Sequence, residues 1–326
     1  MSSKIEEGQE LMRQAEKSLK TGLLKWRPEY DTAADCYTKA ATAFRIAKSY
    51  DQSKDCFLRA ADCHKNNNSW FHAAKCYEQI ILLCKETNNL LSVEEYAGRA
   101  CHLYQQHGSP ESAASALDKA SKVVEQKHPE IALRFYQRAL EISMIEDSSR
   151  TAAEYASKVS RILVKLQMYD QATDALRREI GINQQTESYG QIGRLAVALV
   201  LVQLARGDQV AAEKAFKEWG NCCDPQEVQT LEMLLQAYDD EDPDTAKRAL
   251  ASPFIRHMDV EYSKLALIVP LPQGLPNASK PAVIKNATAS YTSTSMEASK
   301  SGGNEGETGG YAGAQNDEDD DEGGLC

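Results

Sequence analysis

A beat of about twenty residues constrains this chain more than any other feature. Between residues 30 and 180, Tyr37, Phe57, Tyr77, Leu117, Tyr136 and Leu176 fall on it, and Tyr96-Ala97 and Tyr155-Ala156 fill the two remaining beats. Alanines follow three and four places later, at Ala40-Ala41, Ala60-Ala61, Ala100, Ala120 and Ala139. Segments open at Tyr30, Tyr50, Trp70, Leu90, Pro110, Pro129, Arg150 and Tyr169. Twenty residues hold one helix of roughly four turns plus a link. Two such units make a helical hairpin of about forty residues, near the tetratricopeptide period. Large side chains set against alanines let neighbouring helices approach closely and stack. The pattern predicts an all-α chain: a TPR-like right-handed helical-hairpin solenoid, or twisted helical sheet, capped by a C-terminal helical bundle.

Four stretches follow. Residues 1–29 read as an amphipathic helix, with Ile5, Leu11, Met12, Ala15 and Leu19 on its apolar stripe, followed by a loop. Residues 30–180 are the repeats. Residues 181–269, where the beat fades, read as a closing bundle around a strongly apolar helix near 191–206. Residues 270–326 are rich in Pro, Ser, Thr, Gly and Asn and end in an acidic run, the composition of a disordered tail. That acid run lacks the fixed geometry of a carboxylate metal site. No apolar stretch approaches the twenty or so residues of a transmembrane helix.

The formal net charge is −11, which argues against nucleic acid as a partner. Three lysines against nine acids place −6 of it on the tail, so the body is nearly balanced. The first fourteen residues are polar, so the nine cysteines are expected to be reduced thiols in the cytoplasm. Cys36, Cys56 and Cys76 keep the beat just before the aromatic, as small buried fillers do. No phosphate loop, C-x-x-C pair or nucleophile motif is present, so neither enzyme activity, cofactor nor metal is expected.

Two features point to macromolecular partners. The loop Thr21-Gly-Leu-Leu-Lys-Trp-Arg-Pro-Glu-Tyr30 packs Leu23, Leu24 and Trp26 between Lys20, Lys25 and Arg27. Apolar wedges among cations suit the surface of an anionic bilayer; the alternative is a buried hairpin turn. A ladder of cations lies two residues after the beat, at Lys39, Arg59, Arg99, Lys119, Arg138, Lys158 and Arg178. It reads either as a basic stripe for an acidic partner or as long side chains covering apolar helix flanks. Alternate helices of a hairpin array face opposite sides, so at most every second member can share a face.

The chain resembles the soluble NSF attachment proteins, and among them the gamma type. The resemblance is carried by the 21–31 loop, by Ala73-Ala-Lys-Cys-Tyr-Glu78, by Met258-Asp-Val-Glu-Tyr-Ser-Lys-Leu265 and by the acidic tail closing Gly323-Gly-Leu-Cys326. It implies an adaptor, peripherally bound to membranes, that holds assembled SNARE complexes (syntaxin-type bundles) and recruits the ATPase NSF to take them apart. It further implies membrane contact through Leu23, Leu24, Lys25 and Trp26. The acidic SNARE bundle would meet a basic face drawn from Arg99, Lys119, Arg138, Lys158 and Arg161. NSF would meet Leu325 in the tail and the acidic turn of Asp239, Asp240, Glu241 and Asp242. About fifty low-complexity residues separate the last helix from Leu325, which implies weaker stimulation of NSF than an alpha-type tail gives. A generic TPR-like peptide-binding scaffold or co-chaperone is the competing reading; it leaves the Leu-Leu-Lys-Trp loop unexplained.

Overall fold

Most repeats close with a link only two or three residues long, and that link sets the beat. In the computed structural model, which describes residues 2–21 and 26–273, α2 (Tyr30–Ile46), α3 (Tyr50–Asn66) and α4 (Trp70–Glu86) each span 17 residues. Between α2 and α3 the chain turns through Lys48, whose φ of 60° lies in the left-handed region. The Lys48 N–H donates to the Arg45 carbonyl at 2.9 Å, and the Ser49 N–H donates to the Phe44 carbonyl at 2.8 Å. This is the Schellman arrangement, which satisfies carbonyls left over at a helix end. Ser49 is also the N-cap of α3. One residue thus ends one helix and starts the next.

The same hydrogen-bond pair recurs around Asn68, Asn88, Gly108, Asp147, Gln167, Glu187 and Gly207, all at positive φ. These links join α4 through a short 3-10 turn (Leu90–Ser92) to α5 (Val93–His107) and α6 (Pro110–Val124). They then join α7 (Pro129–Ile145), α8 (Ser149–Lys165), α9 (Tyr169–Gln185), α10 (Tyr189–Arg206) and α11 (Gln209–Trp219). The α6–α7 link differs. It has no left-handed residue, and its His128 N–H returns to the Val124 carbonyl at 2.8 Å.

Each of these helices packs on its neighbours in sequence, starting with α1 (Ser2–Leu19) on α2. All the beat residues are buried: Tyr37, Phe57, Tyr77, Tyr96, Leu117, Tyr136, Tyr155 and Leu176. Burying one such side chain contributes about 2 kcal/mol. The alanines beside them are fully covered, which is what close helix approach requires. At Gly8 a Cβ would stand 2.8 Å from the Phe44 ring, so α1 needs glycine there to reach α2.

The expected division at 180/181 falls inside α9. The twenty-residue spacing of helix starts runs on through Tyr189 and Gln209. Beyond it come α12 (Pro225–Asp239), α13 (Pro243–Leu250), the single turn α14 (Pro253–Arg256) and α15 (Val260–Ile268). Here the starts carry side-chain caps, and one link, at Glu241 (φ 51°) between α12 and α13, repeats the Schellman pair. Asp242, Ser252 and Asp259 each accept a backbone N–H, and Asp224 with Glu227 forms a capping box. α15 folds back onto α8 and α10. That cover explains why α10 is buried on nearly every side. Among the described residues there is no strand, and no helix is long and apolar enough to cross a membrane.

Gln167 and Glu187 occupy positions that an L side chain adopts at a cost of about 1–2 kcal/mol. Replacing either with glycine should raise stability by about 0.5–1 kcal/mol, read as a higher denaturant midpoint at unchanged slope. Arg177→Gly, in the exposed middle of α9, should lower it by about 1 kcal/mol. If both link variants lower the midpoint as the helical control does, the links do not carry the strain described.

Candidate partner-binding surfaces

The N-terminal loop leaves α1 at Leu19 and reaches α2 at Tyr30. Its ends are tied where the Glu29 N–H donates to the Ser18 carbonyl at 3.1 Å. Leu23, Leu24 and Lys25 lie outside the described residues. Trp26 is 86% exposed, which overturns the buried-turn alternative for this ring. An indole held in solvent beside Arg27 has an apolar body and a polar edge available to an outside surface.

The cation ladder divides between two alternating sets of helices. Arg99 and Arg138 stand on α5 and α7; Lys119, Lys158 and Arg161 stand on α6 and α8. Ion pairs about forty residues apart bridge each helix to its next-but-one neighbour. Lys119 meets Glu78 at 3.2 Å, Lys158 meets Asp118 at 2.7 Å, Arg134 meets Glu94 at 2.8 Å and Arg59 meets Glu16 at 3.4 Å. Several ladder cations also lie over the beat aromatic of the preceding helix. The Arg59 guanidinium is 5.9 Å from the Tyr37 ring centre, that of Arg99 5.8 Å from Tyr77, and the Lys158 ammonium 5.7 Å from Tyr136. The ladder therefore has an internal role that its spacing alone does not show: it clamps successive helices.

Lys158 is the extreme case. Its side chain is only 15% exposed and also reaches Glu154 at 2.7 Å. Burial alone would lower its pKa, but the hydrogen bonds to Asp118 and Glu154 outweigh burial and raise it. Arg161 is half-buried, held by Glu125 at 3.2 Å and lying 3.9 Å from Asp259. Arg99, Lys119 and Arg138 are exposed.

The acidic turn is also divided in its roles. Asp239, Asp240 and Glu241 are exposed. Asp242 instead caps α13, accepting the Asp244 and Thr245 N–H groups at 3.0 and 3.1 Å and the Thr245 hydroxyl at 2.6 Å. Those hydrogen bonds, the Thr245 hydroxyl first, hold its carboxyl below the usual range. Leu325 lies outside the described residues. No group of three or more His, Cys, Asp or Glu able to hold a metal occurs among the described residues.

A family model described as "Soluble NSF attachment protein, SNAP" matches residues 6–252. The chain belongs to the soluble NSF attachment protein family. Among SNAP relatives, the gamma-soluble NSF attachment protein of Dictyostelium discoideum is 26% identical over 268 residues, covering 81% of this chain and 83% of that one. The gamma-soluble NSF attachment protein of Arabidopsis thaliana is 24% identical over 264 residues, covering 80% and 90%. The alpha-soluble NSF attachment protein of Vitis vinifera is 27% identical over 251 residues, covering 74% and 85%. Among solved structures, the apo form of RapI aligns over 80% of this chain and 96% of that one, at 12% identity and a TM-score of 0.35.

One titratable residue that the sequence reading did not single out stands out in this SNAP. Glu179, on α9, is 4% exposed, and its Oε2 has no hydrogen-bond partner. Burial pushes its carboxyl up to about 7, against the opposing effect of the Ser160 and Ser157 hydroxyls. A glutamate one place past a ladder cation looks like ordinary helix surface, and the packing of α8, α10 and α15 around it buries it.

A raised folded pKa means that Glu179 favours the native state below about pH 4.5, where it is protonated folded or unfolded, and that this contribution is lost as pH rises through about 7. The loss at pH 8 is on the order of 3 kcal/mol. Glu179→Gln should therefore raise the melting temperature at pH 8 and match the parent chain near pH 4.5. Equal melting curves of the two chains at pH 8 would show that the carboxylate is not desolvated in solution.

Proposed function

We propose that this SNAP is an adaptor of the gamma type. It binds assembled SNARE complexes on membranes, recruits NSF and stimulates its ATPase, with no catalytic activity of its own. The observation that carries the reading is the family match over residues 6–252, together with relatives named as NSF attachment proteins.

The surfaces described above support a division of labour. Trp26, with Leu23, Leu24 and Lys25 before it in sequence, would seat the N-terminal end on an anionic bilayer and make the chain a peripheral membrane protein of the cytoplasmic side. Arg99 and Arg138, on α5 and α7, would present exposed charge to an acidic SNARE bundle, while Lys119 and Arg161 stand on the alternate helices α6 and α8. Lys158 would act on that face indirectly, by fixing α8 against α6 and α7. Asp239, Asp240 and Glu241 present carboxylates to a basic NSF surface, while Asp242 holds the turn that displays them. Leu325 would stimulate ATP hydrolysis from the end of the tail.

The adaptor role is tested by adding the chain to NSF and preassembled SNARE complexes and following ATP hydrolysis and disassembly. The intact chain should accelerate both, and Leu325→Ala should lose most of the stimulation while still binding the SNARE complex. No acceleration by the intact chain would remove the adaptor reading. Full stimulation by Leu325→Ala would move the trigger away from the tail.

Changing Leu23, Leu24 and Trp26 together to serine should reduce retention on phosphatidylserine liposomes by more than about tenfold, since each apolar side chain contributes about 1.5–3 kcal/mol when buried. Circular dichroism should show helicity unchanged. Retention that survives the triple change would place the membrane contact elsewhere.

A further inference from the structure

A cavity of about 200 Å³ lies where α9 and α10 meet the corner between α14 and α15. Its interior is built from two kinds of group. Leu195, Phe254 and Met258 contribute apolar lining, and Glu179 and Tyr262 contribute polar lining. Glu179 is 4% exposed and Tyr262 6%. Both present an unpartnered oxygen, Glu179 Oε2 and the Tyr262 hydroxyl. Leaving two buried oxygens unmatched costs about 1–3 kcal/mol each. A site that keeps both within one cavity is shaped for something that supplies hydrogens.

The rim narrows what that is. Asp259 adds a second carboxylate at the mouth, where its side chain also caps α15 by accepting the Glu261 N–H at 3.1 Å. Arg161 approaches Asp259 only at 3.9 Å, since its guanidinium is held by Glu125 at 3.2 Å. The other charged or titratable group at the mouth from α10 is Arg194, which is exposed. His257 is exposed, its Nδ1 engaged with the Pro253 carbonyl at 2.5 Å. Ser157, which also lines the cavity, and Ser160 of α8 approach the Glu179 carboxylate. The cavity thus offers three acceptors, Glu179 Oε2, the Tyr262 oxygen and the Asp259 carboxylate, at the end of an apolar sleeve. An ammonium group has three donors and no acceptor, and a lysine carries it on a four-carbon stem.

We propose that this cavity binds a primary alkylammonium group, in the form of a lysine side chain presented by a protein partner. The stem lies against Leu195, Phe254 and Met258, and the ammonium donates to Glu179, Tyr262 and Asp259. Pairing with the cation makes the ionised form of Glu179 the favoured one, so binding releases a proton and strengthens as pH rises from 6 to 8. The pocket is separate from the acidic turn at 239–242. Its corner segment, 253–268, also follows the stretch that matches the SNAP family model.

Met258 supplies the test. The full chain is labelled at its methionine methyls, and the Met258 signal is assigned by its loss in Met258→Leu. It is then titrated with n-butylammonium, with n-butanol, with the peptide acetyl-Gly-Lys-Gly-amide and with the same peptide acetylated at the lysine amine. At pH 8 the butylammonium and the unmodified peptide should shift the Met258 methyl saturably, and the butanol and acetylated peptide should not. Binding should weaken about tenfold at pH 6, and by a similar factor in Glu179→Gln and Tyr262→Phe, as loss of a charge-assisted hydrogen bond predicts. Equal responses to butanol and butylammonium, or an affinity untouched by Glu179→Gln, would show a hydrated void and overturn the proposal. Binding of butylammonium without the lysine peptide would overturn the partner-lysine assignment and leave a site for free small amines.

Discussion

The left-handed link is the constraint on which the rest of this array depends. A Schellman turn consumes the last carbonyls of one helix and delivers the chain to the N-cap of the next within three residues. With so short a link, consecutive helices must run antiparallel and in contact. The helix length is then fixed by where the link comes, not by any signal inside the helix. Links of this design place most of the beat residues, Tyr37, Phe57, Tyr77 and their successors, at equivalent heights. Everything that later looks like a pattern of function, including the cations two residues further on, inherits that register.

The inherited register also explains why the ladder clamps the array. A cation two residues past the beat reaches the aromatic of the helix before it, and an acid on the helix before that. Arg99 over Tyr77, Lys119 on Glu78 and Lys158 between Asp118 and Tyr136 are three versions of one contact. Exposed pairs of this kind contribute little individually. Lys158 is different because it is largely buried, so removing either partner would leave a desolvated charge. The same side chains can hold the scaffold and present charge, and exposure decides how they divide between the two.

Much of this was legible in the sequence because local periodicity dictates it. The beat aromatics, the alanine pairs and the links at Asn68, Asn88 and Gly108 all announce themselves through residue type. The links at Lys48, Gln167 and Glu187 do not, since nothing about Lys, Gln or Glu favours a positive φ; the neighbouring helices impose it. The division at 180/181 followed the fading of the aromatic beat, yet the chain runs through it as helix, inside α9. For the surfaces, the cationic neighbours of Trp26 left both an exposed and a buried ring open, and the fold shows it exposed. The inward turn of Lys158 and the burial of Glu179 did not, because both depend on helices forty to eighty residues away.

The string of cysteines gives this array a chemical property of its own. Cys56 and Cys63 lie on α3, Cys76 and Cys84 on α4, and Cys101 on α5, all buried and unpaired. Burial pushes Cys56 and Cys76 up to about 12 and raises the other three, so essentially no thiolate exists at neutral pH. Alkylating and oxidising reagents attack the thiolate. In the native state these sulfurs are therefore silent, and each becomes reactive only when its own helix parts from its neighbours. The rate at which each cysteine is modified is a clock for the local opening of that helix, built into the sequence one repeat at a time.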